Sequence, residues 1–505
     1  MQYDDLNPLF AILNKTQIEV LKNGYDILLS NIKLDYQSDI SVDNTILVVG
    51  ENELANDFIN KTKDKFNIIQ KSYIEKYNGM IGDFISIVEN EEIHTSQIVF
   101  FTKLKLDSRI LNKTTQLGIH FVNSYENTDS MVKEIENLIG DFTYENTILY
   151  DENKCQYHHR DKTMNSYCSE CESVCPTFAI TKDDKTKELR FSNIDCIFCG
   201  KCVGVCPSGA MQKANAPLIE ITKAAQLYRD KIPLILGKQD IQSLVDSDID
   251  IKDSDTIPLL LPNINMLNEV YLISILQTTG TQCILYGNIE SNLKDSIEFI
   301  NELYTKVLNK KVIYLQNEIK SYKNLAIENI TKYQYKAESS EFSREIFGER
   351  VKFLIRDNTY GSLANKPSIK YTDLTIDANV CTLCMSCVES CNTNALISSK
   401  DNFELLLNPS LCTACNLCVD ICPESVIKMP LNGMELNNSF FTYNTKAKDK
   451  PFKCIECGKI FASEKSIKKV QGMMFPIFND DEIKKKSILC CSDCKVKVMF
   501  RANRM

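Results

Sequence analysis

The spacing of the cysteines is the feature of this chain that could do chemistry. Sixteen of its 22 cysteines fall into four blocks, and blocks II, III and IV each read C-x2-C-x2-C-x3-C. Thiolates at this spacing hold cubane [4Fe–4S] clusters, so the pattern indicates an electron carrier. The blocks are Cys155, Cys168, Cys171 and Cys175 (block I), Cys196, Cys199, Cys202 and Cys206 (block II), Cys381, Cys384, Cys387 and Cys391 (block III), and Cys412, Cys415, Cys418 and Cys422 (block IV).

The chemistry of a cubane explains the interval between these cysteines. Each of its four iron corners takes one soft thiolate, and a tight turn with two intervening residues places three successive sulfurs on three corners. The next cysteine points elsewhere and reaches a neighbouring cube, so blocks work in pairs. Cys175 and Cys196 are separated by 20 residues, and so are Cys391 and Cys412. This equality indicates that a two-cluster module has been duplicated.

Residues 151–214 and 372–432 resemble the bacterial-type two-[4Fe–4S] ferredoxins, as two copies within a poly-ferredoxin-like electron-transfer protein. As in that family, proline follows the last cysteine of three blocks, whereas Asn392 follows that of block III. The prolines are Pro176, Pro207 and Pro423.

The resemblance implies four crossed ligand sets. In each module one cluster takes the first three cysteines of one block and the last cysteine of the other. The implied sets are Cys196, Cys199, Cys202 and Cys175; Cys168, Cys171, Cys206 and a further ligand; Cys381, Cys384, Cys387 and Cys422; and Cys412, Cys415, Cys418 and Cys391.

The further ligand in the first module is open. The family has a cysteine where this chain has Asn165, and Cys155 is the natural substitute, with twelve residues between it and Cys168. His158 and His159 are rivals, since imidazole can replace thiolate on iron. An open corner, which would give a three-iron cluster, is the third alternative.

Zinc binding and disulfide formation can also produce cysteine-rich blocks. A zinc site uses two C-x2-C pairs and has no use for a third cysteine at the same interval. Disulfides need an oxidising compartment, yet the N-terminus is acidic and lacks the apolar core of a signal peptide. No stretch approaches the roughly 20 apolar residues of a membrane span. We therefore expect a cytoplasmic protein with reduced thiols.

The length of 505 residues predicts several domains. The expected fold class is multidomain α/β and α+β, with a Rossmann-like domain, two ferredoxin-like modules, a small α/β domain and a zinc-ribbon-like domain. The expected segments are a helical start (1–41), the Rossmann-like domain (42–150), the first module (151–214), the small α/β domain (215–330), a linker (331–371), the second module (372–432) and a basic zinc-ribbon-like domain (446–505).

Alternating apolar runs and helical stretches support the Rossmann-like domain, which we expect to be a doubly wound parallel sheet. The turn Gly50–Glu53 lacks the later glycines of the dinucleotide fingerprint, so we expect no nucleotide there. Residues 18–32 carry an apolar stripe at helical spacing, which we expect to pack on this sheet. The expected strands are Thr45–Val49, Phe66–Ile69, Gln97–Phe101, Gly118–Val122 and Thr147–Tyr150.

The segment 215–330 repeats the alternation of strands and helices. A single cysteine, Cys283, lies in a predicted strand there, where we expect a core residue rather than a ligand. The expected strands are Ile232–Leu236, Ile257–Leu261, Cys283–Tyr286 and Lys311–Leu315, and the expected helices are Leu267–Thr278 and Ser291–Leu308.

The tail carries a different metal signature. Cys454 and Cys457 form one C-x2-C pair, and Cys491 and Cys494 form another after 33 intervening residues, a pattern typical of a structural Zn²⁺ site. Cys490 is an alternate ligand or a spare thiol. A redox dithiol pair or a fifth iron–sulfur cluster are the alternatives. Residues 446–505 hold 15 basic and 7 acidic side chains, yet four cubanes on one chain favour a redox partner over nucleic acid.

No motif for substrate chemistry accompanies the clusters. The chain lacks a P-loop, a G-x-S-x-G elbow and a histidine-based acid–base constellation. We therefore expect a non-catalytic subunit with four [4Fe–4S] clusters and one Zn²⁺, relaying electrons between a low-potential dehydrogenase- or hydrogenase-type enzyme and another carrier. The alternatives are a reductase with a catalytic irregular cluster and a redox-sensing or maturation factor.

Overall fold

The computed structural model describes residues 3–30, 37–101, 116–122, 128–158, 168–399 and 402–502. The chain forms a first unit, Met1–Ile300 with Lys311–Ser339, and a second unit, Asn301–Lys310 with Ser340–Met505. Helices and strands are mixed in both units, as expected of a multidomain α/β protein. None of the described helices is both long enough and apolar enough to cross a membrane. The division into seven segments stays a prediction.

A four-stranded parallel sheet, here the N-terminal sheet, lies near the start of the first unit. Its two central strands are buried on both faces, which is typical of parallel sheets, whereas the edge strand Asn67–Lys71 is partly exposed. In spatial order the four strands are Asn67–Lys71, Thr45–Val49, Gln97–Phe100 and Ile119–Phe121.

The two faces of the N-terminal sheet are covered differently. Helices Glu53–Thr62 and Thr128–Asn137 pack on one face. A three-stranded antiparallel meander packs on the other. The expectation of helices on both faces was therefore wrong, because the meander supplies the second apolar layer. The strands of the meander are Lys76–Met80, Asp83–Val88 and Glu91–Thr95.

The N-terminal helix Lys15–Leu29 packs on a later sheet of the first unit. Its Leu21 and Tyr25 belong to one buried cluster with Leu234, and its Gln17 donates to the Thr256 carbonyl at 3.1 Å. The prediction that its stripe packs on the N-terminal sheet is wrong, because both faces of that sheet are already covered. Ile32, the last residue of the expected stripe, lies outside the described residues.

The second parallel sheet of the first unit agrees with the expected strands of segment 215–330. Its four strands are, in spatial order, Thr256–Leu261, Ile232–Gly237, Cys283–Tyr286 and Ile313–Leu315. The helices around it in sequence are Leu218–Ala225, Ile241–Val245, Glu269–Thr279 and Ser291–Leu308.

Short strands and single helical turns carry blocks I and II. The strand Ile148–Tyr150 pairs with Met211–Lys213 and does not join the N-terminal sheet, which corrects the expectation for residues 147–150. It brings the chain on both sides of the two blocks together. The other elements are the hairpin Ile180–Asp183 with Glu188–Phe191 and the helices Glu170–Ser173 and Lys201–Gly204.

Blocks III and IV repeat this arrangement in the second unit. The strand Thr375–Ile376 pairs with Ile427–Lys428, and Leu396–Ser399 pairs with Glu404–Leu407. The helix Ser343–Ile355, in the segment expected to be a linker, has a largely buried side. The remaining elements are the helices Ser386–Glu389 and Leu417–Asp420 and the strands Asn444–Lys448, Ser362–Leu363 and Met434–Glu435.

The tail begins with the hairpin Pro451–Lys453 with Ile460–Ser463. Three helices follow this hairpin, and the last of them carries Cys494. The second cysteine pair therefore comes from the start of a helix rather than from a second hairpin. The helices are Glu464–Phe478, Glu482–Ile488 and Ser492–Ala502.

Candidate metal centres

The loops of blocks II, III and IV share one backbone conformation. In each, the residues just before and just after the second cysteine have φ between 55 and 73°. Turns with left-handed residues aim backbone N–H groups into a concavity that suits an anionic group, as at many iron–sulfur sites. Five of the six residues are not glycine, so the surrounding fold supports strain of about 1–3 kcal/mol at each. The residues are Phe198, Gly200, Leu383, Met385, Ala414 and Asn416.

A single helical turn carries the third cysteine of every block. The fourth cysteine follows the end of that turn, and another left-handed residue three positions later redirects the chain. All four blocks therefore have the same exit geometry, although only three carry the proline. The third cysteines are Cys171, Cys202, Cys387 and Cys418, and the left-handed residues are Phe178, Gly209, Asn394 and Ser425.

One cavity of the first unit gathers cysteines from both of its blocks. Cys196, Cys199 and Cys202 of block II and Cys175 of block I line a space of about 440 Å³. We call these four cysteines site II. Apolar side chains such as Ile148 complete its wall. Soft sulfur ligands within an apolar wall fit the donor preference of an iron–sulfur cluster.

The second unit has the matching cavity. Cys381, Cys384 and Cys387 of block III and Cys422 of block IV line a space of about 350 Å³. We call these four cysteines site III. Its wall includes Ile376 of the short strand pair. Both cavities contain the last cysteine of the partner block, as the crossed ligand sets require.

Site I is the set Cys155, Cys168, Cys171 and Cys206, which the electrostatics show to lie together. Burial raises the pKa of Cys168 to about 12, and the charges of Cys206 and Cys155 add to the shift. Burial also raises the pKa of Cys171 well above its usual value, with the same two neighbours contributing. Buried thiols of this kind keep their protons unless a metal cation replaces them.

Site IV is the corresponding set in the second unit, Cys391, Cys412, Cys415 and Cys418. Burial raises the pKa of Cys412 to about 12, and the charges of Cys415 and Cys391 contribute. The pKa of Cys418 is raised by burial and then by the same three cysteines. The residues of all four sites therefore fit the implied clusters in ligand number and in chemistry.

The position of Cys155 matches that of Cys381 in the repeat. Tyr150 pairs with Met211, and Cys155 follows Tyr150 by five residues. In the second unit Ile376 pairs with Ile427, and Cys381 follows Ile376 by five residues. Twelve residues separate Cys155 from Cys168, whereas two separate Cys381 from Cys384, so the first module has an insertion of ten residues after its first cysteine.

A short motif precedes both cysteines and carries the same turn. The sequences are Asp-Glu-Asn-Lys-Cys155 and Asp-Ala-Asn-Val-Cys381. Asp151 accepts a hydrogen bond from the N–H of Asn153 at 3.1 Å, and Asp377 accepts one from the N–H of Asn379 at 2.9 Å. This D-x-N-x-C repeat is a signal within the sequence itself that places Cys155 at the position of Cys381.

The two histidines are the rivals of Cys155 as the fourth ligand of site I. His158 lies with its Nε2 3.4 Å from a carboxylate oxygen of Glu152, and its side chain is 11 % exposed. His159 and Asn165 lie outside the described residues. The identity of the fourth ligand of site I stays a prediction, with Cys155 in the place that the repeat gives to a ligand.

Hydroxyl groups contact the fourth sulfur of three blocks. In each case the side chain two residues after the cysteine is serine or threonine, at a sulfur–oxygen distance of 3.6–3.8 Å. Block III keeps this contact although Asn392 replaces proline. Hydrogen bonds to cluster sulfurs influence the reduction potential. The pairs are Cys175 with Thr177, Cys206 with Ser208, and Cys391 with Thr393.

The tail brings its four predicted ligands together. The sulfurs of Cys454, Cys457, Cys491 and Cys494 all lie within 4.8 Å of one another, and those of Cys457 and Cys491 are 3.7 Å apart. A tetrahedral site with Zn–S bonds of about 2.3 Å has sulfurs about 3.8 Å apart. The spacing therefore fits a four-coordinate metal.

Backbone N–H groups at this site favour the thiolate form of a cysteine, which suits a bound cation. Burial opposes the charged form of Cys454, but hydrogen bonds from backbone N–H groups, including those of Cys491 and Cys457, lower the pKa of Cys454 to about 6. Cys490 lies outside the group of four, and its Sγ donates to the Lys486 carbonyl at 3.3 Å. The arrangement distinguishes the four thiols from the fifth.

The lysines beside the tail site form ion pairs with nearby carboxylates. Lys486 lies 2.6 Å from Glu456, and Lys469 contacts Glu424. Lys468, Lys484 and Lys485 form pairs of the same kind within their helices or at their starts. Such pairing leaves less positive charge for a phosphate backbone than the sequence count indicates.

Cys283 lies apart from these sites, in the strand Cys283–Tyr286. Its side chain is fully buried, and burial raises the pKa of its thiol to about 12. A protonated thiol in an apolar strand behaves as a small core side chain.

Comparison with known proteins agrees with this geometry. Residues 166–210 match one family model of the 4Fe–4S dicluster domain, and residues 380–427 match a second model of that description. No curated protein is significantly similar to the chain. The chain therefore contains two ferredoxin-type 4Fe–4S dicluster domains, one in each unit.

Proposed function

We propose that this chain is an electron-transfer protein that holds four [4Fe–4S] clusters, one each at sites I, II, III and IV. It relays electrons between a low-potential dehydrogenase- or hydrogenase-type enzyme and another carrier. The partner is a subunit of that enzyme or a soluble carrier.

The single observation that carries this proposal is the crossing of cysteines between blocks. Cys175 lines the same cavity as block II, and Cys422 lines the same cavity as block III. Crossing places the two clusters of a module close together, because each block contributes to both. Closely spaced one-electron centres suit a relay.

The protein residues hold the clusters and control their surroundings. Each cluster, when bound, takes up and releases one electron. Ile148 and Ile376 line the walls of sites II and III, and an apolar wall of low dielectric constant strengthens the influence of nearby charges. The hydroxyls of Thr177 and Thr393 contact cluster ligands, where they can influence the potentials.

The tail holds a structural Zn²⁺ through Cys454, Cys457, Cys491 and Cys494, in a zinc-ribbon-like domain. Four thiolates leave no open position for substrate, so this metal stabilises the fold. The N-terminal sheet, with helices on one face only, acts as a scaffold without nucleotide, since the Asn52 side chain caps the helix after Gly50 and also donates to the Phe101 carbonyl. The requirement for reduced thiols supports a cytoplasmic location.

A feature of site I supports two alternative functions. The insertion between Cys155 and Cys168 could serve a reductase with a catalytic irregular cluster, or a redox-sensing or maturation factor. The regular construction of the other three sites favours the carrier.

Metal analysis tests the proposal directly. Protein purified without oxygen should contain about sixteen irons and about one zinc per chain. A content near eight irons would contradict the presence of two loaded modules, and a content near zero would reject the proposed function.

A further inference from the structure

Lys213 places a buried positive charge beside site II. It ends the strand Met211–Lys213 and is 1 % exposed. It pairs with Ile148, a wall residue of the cavity. Its Nζ lies 5.2 Å from the ring centroid of Phe198, which stands between Cys196 and Cys199. The ammonium group therefore lies at the loop that supplies two ligands of site II.

The charge of Lys213 has no carboxylate partner within the part of the chain that the structure describes. Two other buried lysines of the first unit, unlike Lys213, lie beside a carboxylate. Lys154 lies 3.9 Å from Asp151, and Lys187 lies 3.6 Å from Asp184. A buried charge without compensation is costly. Burial lowers the pKa of Lys213, whereas the negative charges of the site II cysteines, once they hold a cluster as thiolates, raise it and favour the ammonium form. The cysteine cage therefore provides the compensation.

Arg344 occupies a comparable place at site IV. It belongs to the helix Ser343–Ile355 and is 2 % exposed. Its Nη2 donates to the Lys370 carbonyl at 3.0 Å, and its guanidinium carbon lies 3.7 Å from the ring centroid of Tyr371. Among the described residues, its Nε and Nη1 have no hydrogen-bond acceptor.

The helix that carries Arg344 packs on the segment Pro409–Leu411, directly before Cys412. A Cβ atom at Gly348 of this helix would lie 3.1 Å from Oγ of Ser410, two residues from that cysteine, so the helix approaches this segment closely. The positive charge of Arg344 favours the thiolate of Cys412. Its unpaired N–H groups are therefore held close to the cage of site IV.

Sites II and IV are equivalent in the repeat, yet their cations come from different elements. Counted from the last cysteine of each module, Lys213 corresponds to Met429. The first module takes its cation from its own strand, and the second takes it from a helix that precedes the module. At site III the cation that acts on Cys381 is Lys465, which is partly exposed and therefore screened by water.

We propose that Lys213 and Arg344 set the reduction potentials of sites II and IV, which makes these sites the higher-potential members of the two cluster pairs. A cubane with four thiolates has a charge of about −2, and one added electron makes it about −3. A fixed buried cation stabilises the second state more than the first, because attraction grows with charge and little water screens it. An electron given to a module therefore resides at site II or site IV.

This inference rests on the proposed function, since it requires clusters at both sites. The test is a redox titration of the complete protein with dithionite, followed by electron paramagnetic resonance. The signal of site II is identified as the one that Cys175→Ser alters, and that of site IV as the one that Cys391→Ser alters.

The first variant is Lys213→Met, which introduces the residue of the equivalent position. We expect the equilibrium constant for reduction of site II to fall at least tenfold. For one electron this is a shift of the reduction potential by about 59 mV to a lower value. The other three signals should stay unchanged. Lys213→Arg is the matched control, and its potential should stay close to that of the wild type.

The second pair tests site IV by moving the charge. Arg344→Met should lower the potential of site IV alone, and Met429→Lys in the same chain should restore part of the loss. If Lys213→Met prevents cluster assembly, Met429→Lys in the wild type still decides the matter, because it should raise the potential of site IV.

Unchanged potentials in variants that keep about sixteen irons would overturn the inference while leaving the proposed function intact. An equal shift at all four sites would also overturn it, because the charge would then act without preference. A wild-type protein without iron would instead reject the proposed function.

Discussion

Cys175 and Cys196 line one cavity, although they belong to different blocks and are separated by 20 residues of sequence. Cys171, only four residues before Cys175, belongs to the other site of the module. The helical turn Glu170–Ser173 ends between these two cysteines, so the chain direction changes there. Neighbouring cysteines are thus divided between two sites.

The first prediction tests this division. Cys175→Ser should disturb the cluster of site II and leave that of site I intact, because its sulfur faces the block II loop. The measurement is electron paramagnetic resonance of the reduced protein, compared with Cys171→Ser. The crossing is wrong if both variants alter the same signal.

The second prediction concerns Cys155, which occupies the place of Cys381. Cys155→Ser should convert one cubane to a three-iron form or lose it, because one corner loses its thiolate. His158→Ala and His159→Ala should keep four cubanes. Iron analysis with electron paramagnetic resonance of the oxidised protein distinguishes the forms. Loss in a histidine variant, with Cys155→Ser silent, would reverse the assignment.

The third prediction concerns the tail metal. Cys457→Ser should release zinc while about sixteen irons remain, because the tail thiols are separate from sites I to IV. Hydrogen exchange should then increase in the helix Ser492–Ala502, whose first turn carries Cys494. Cys490→Ser is the control and should retain zinc, since its thiol lies outside the group of four. Retention of zinc in Cys457→Ser would contradict the site.

The fourth prediction separates a carrier from a catalyst. The isolated chain should accept electrons from dithionite and pass them to an artificial dye. It should not turn over formate, hydrogen, NADH or a disulfide without a partner, because its sequence offers no nucleotide fingerprint and no acid–base pair. Spectrophotometric assays without oxygen provide the measurement. Turnover of NADH by the chain alone would refute the carrier.

The fifth prediction concerns the acid stability of the N-terminal sheet. Burial lowers the pKa of His120 to about 4, and its Nε2 lies 2.9 Å from the side-chain oxygen of Gln97. The unfolded histidine binds a proton near pH 6.5, so acid favours the unfolded state. The free energy of unfolding should fall by about 2 kcal/mol between pH 7 and pH 5 from this group.

Hydrogen exchange in the strand Ile119–Phe121 measures that stability. His120→Gln should weaken its dependence on pH over this range, whereas His94→Gln, at an exposed position, should leave it unchanged. Equal pH dependence in the wild type and His120→Gln would show that another group is responsible.

Local spacing made the cluster blocks predictable. Two residues between cysteines demand a tight turn, and the left-handed residues Phe198, Leu383 and Ala414 form that turn in three blocks. The strands of segment 215–330 were predictable for a similar reason, since a continuous apolar run must be buried on both faces. These features depend on residues close together in sequence.

Contacts between distant segments decided the rest. Leu21 and Tyr25 form an apolar stripe that could cover any sheet, and only the folded unit shows that it meets Leu234. The residues Ile148–Tyr150 could join either sheet edge, and pairing with Met211–Lys213 assigns them to the cluster module. Burial is a property of two surfaces, and a sequence pattern describes only one of them.

The buried cationic side chains beside sites II and IV show most clearly what a sequence pattern alone does not predict. The sequence by itself determined that the ligands repeat, because their spacing is local. Only the tertiary structure decided that Lys213 and Arg344 lie buried at equivalent sites, because one comes from a strand of its module and the other from a helix before it. Electrostatic interaction depends on distance and burial in space, and neither follows from separation along the chain.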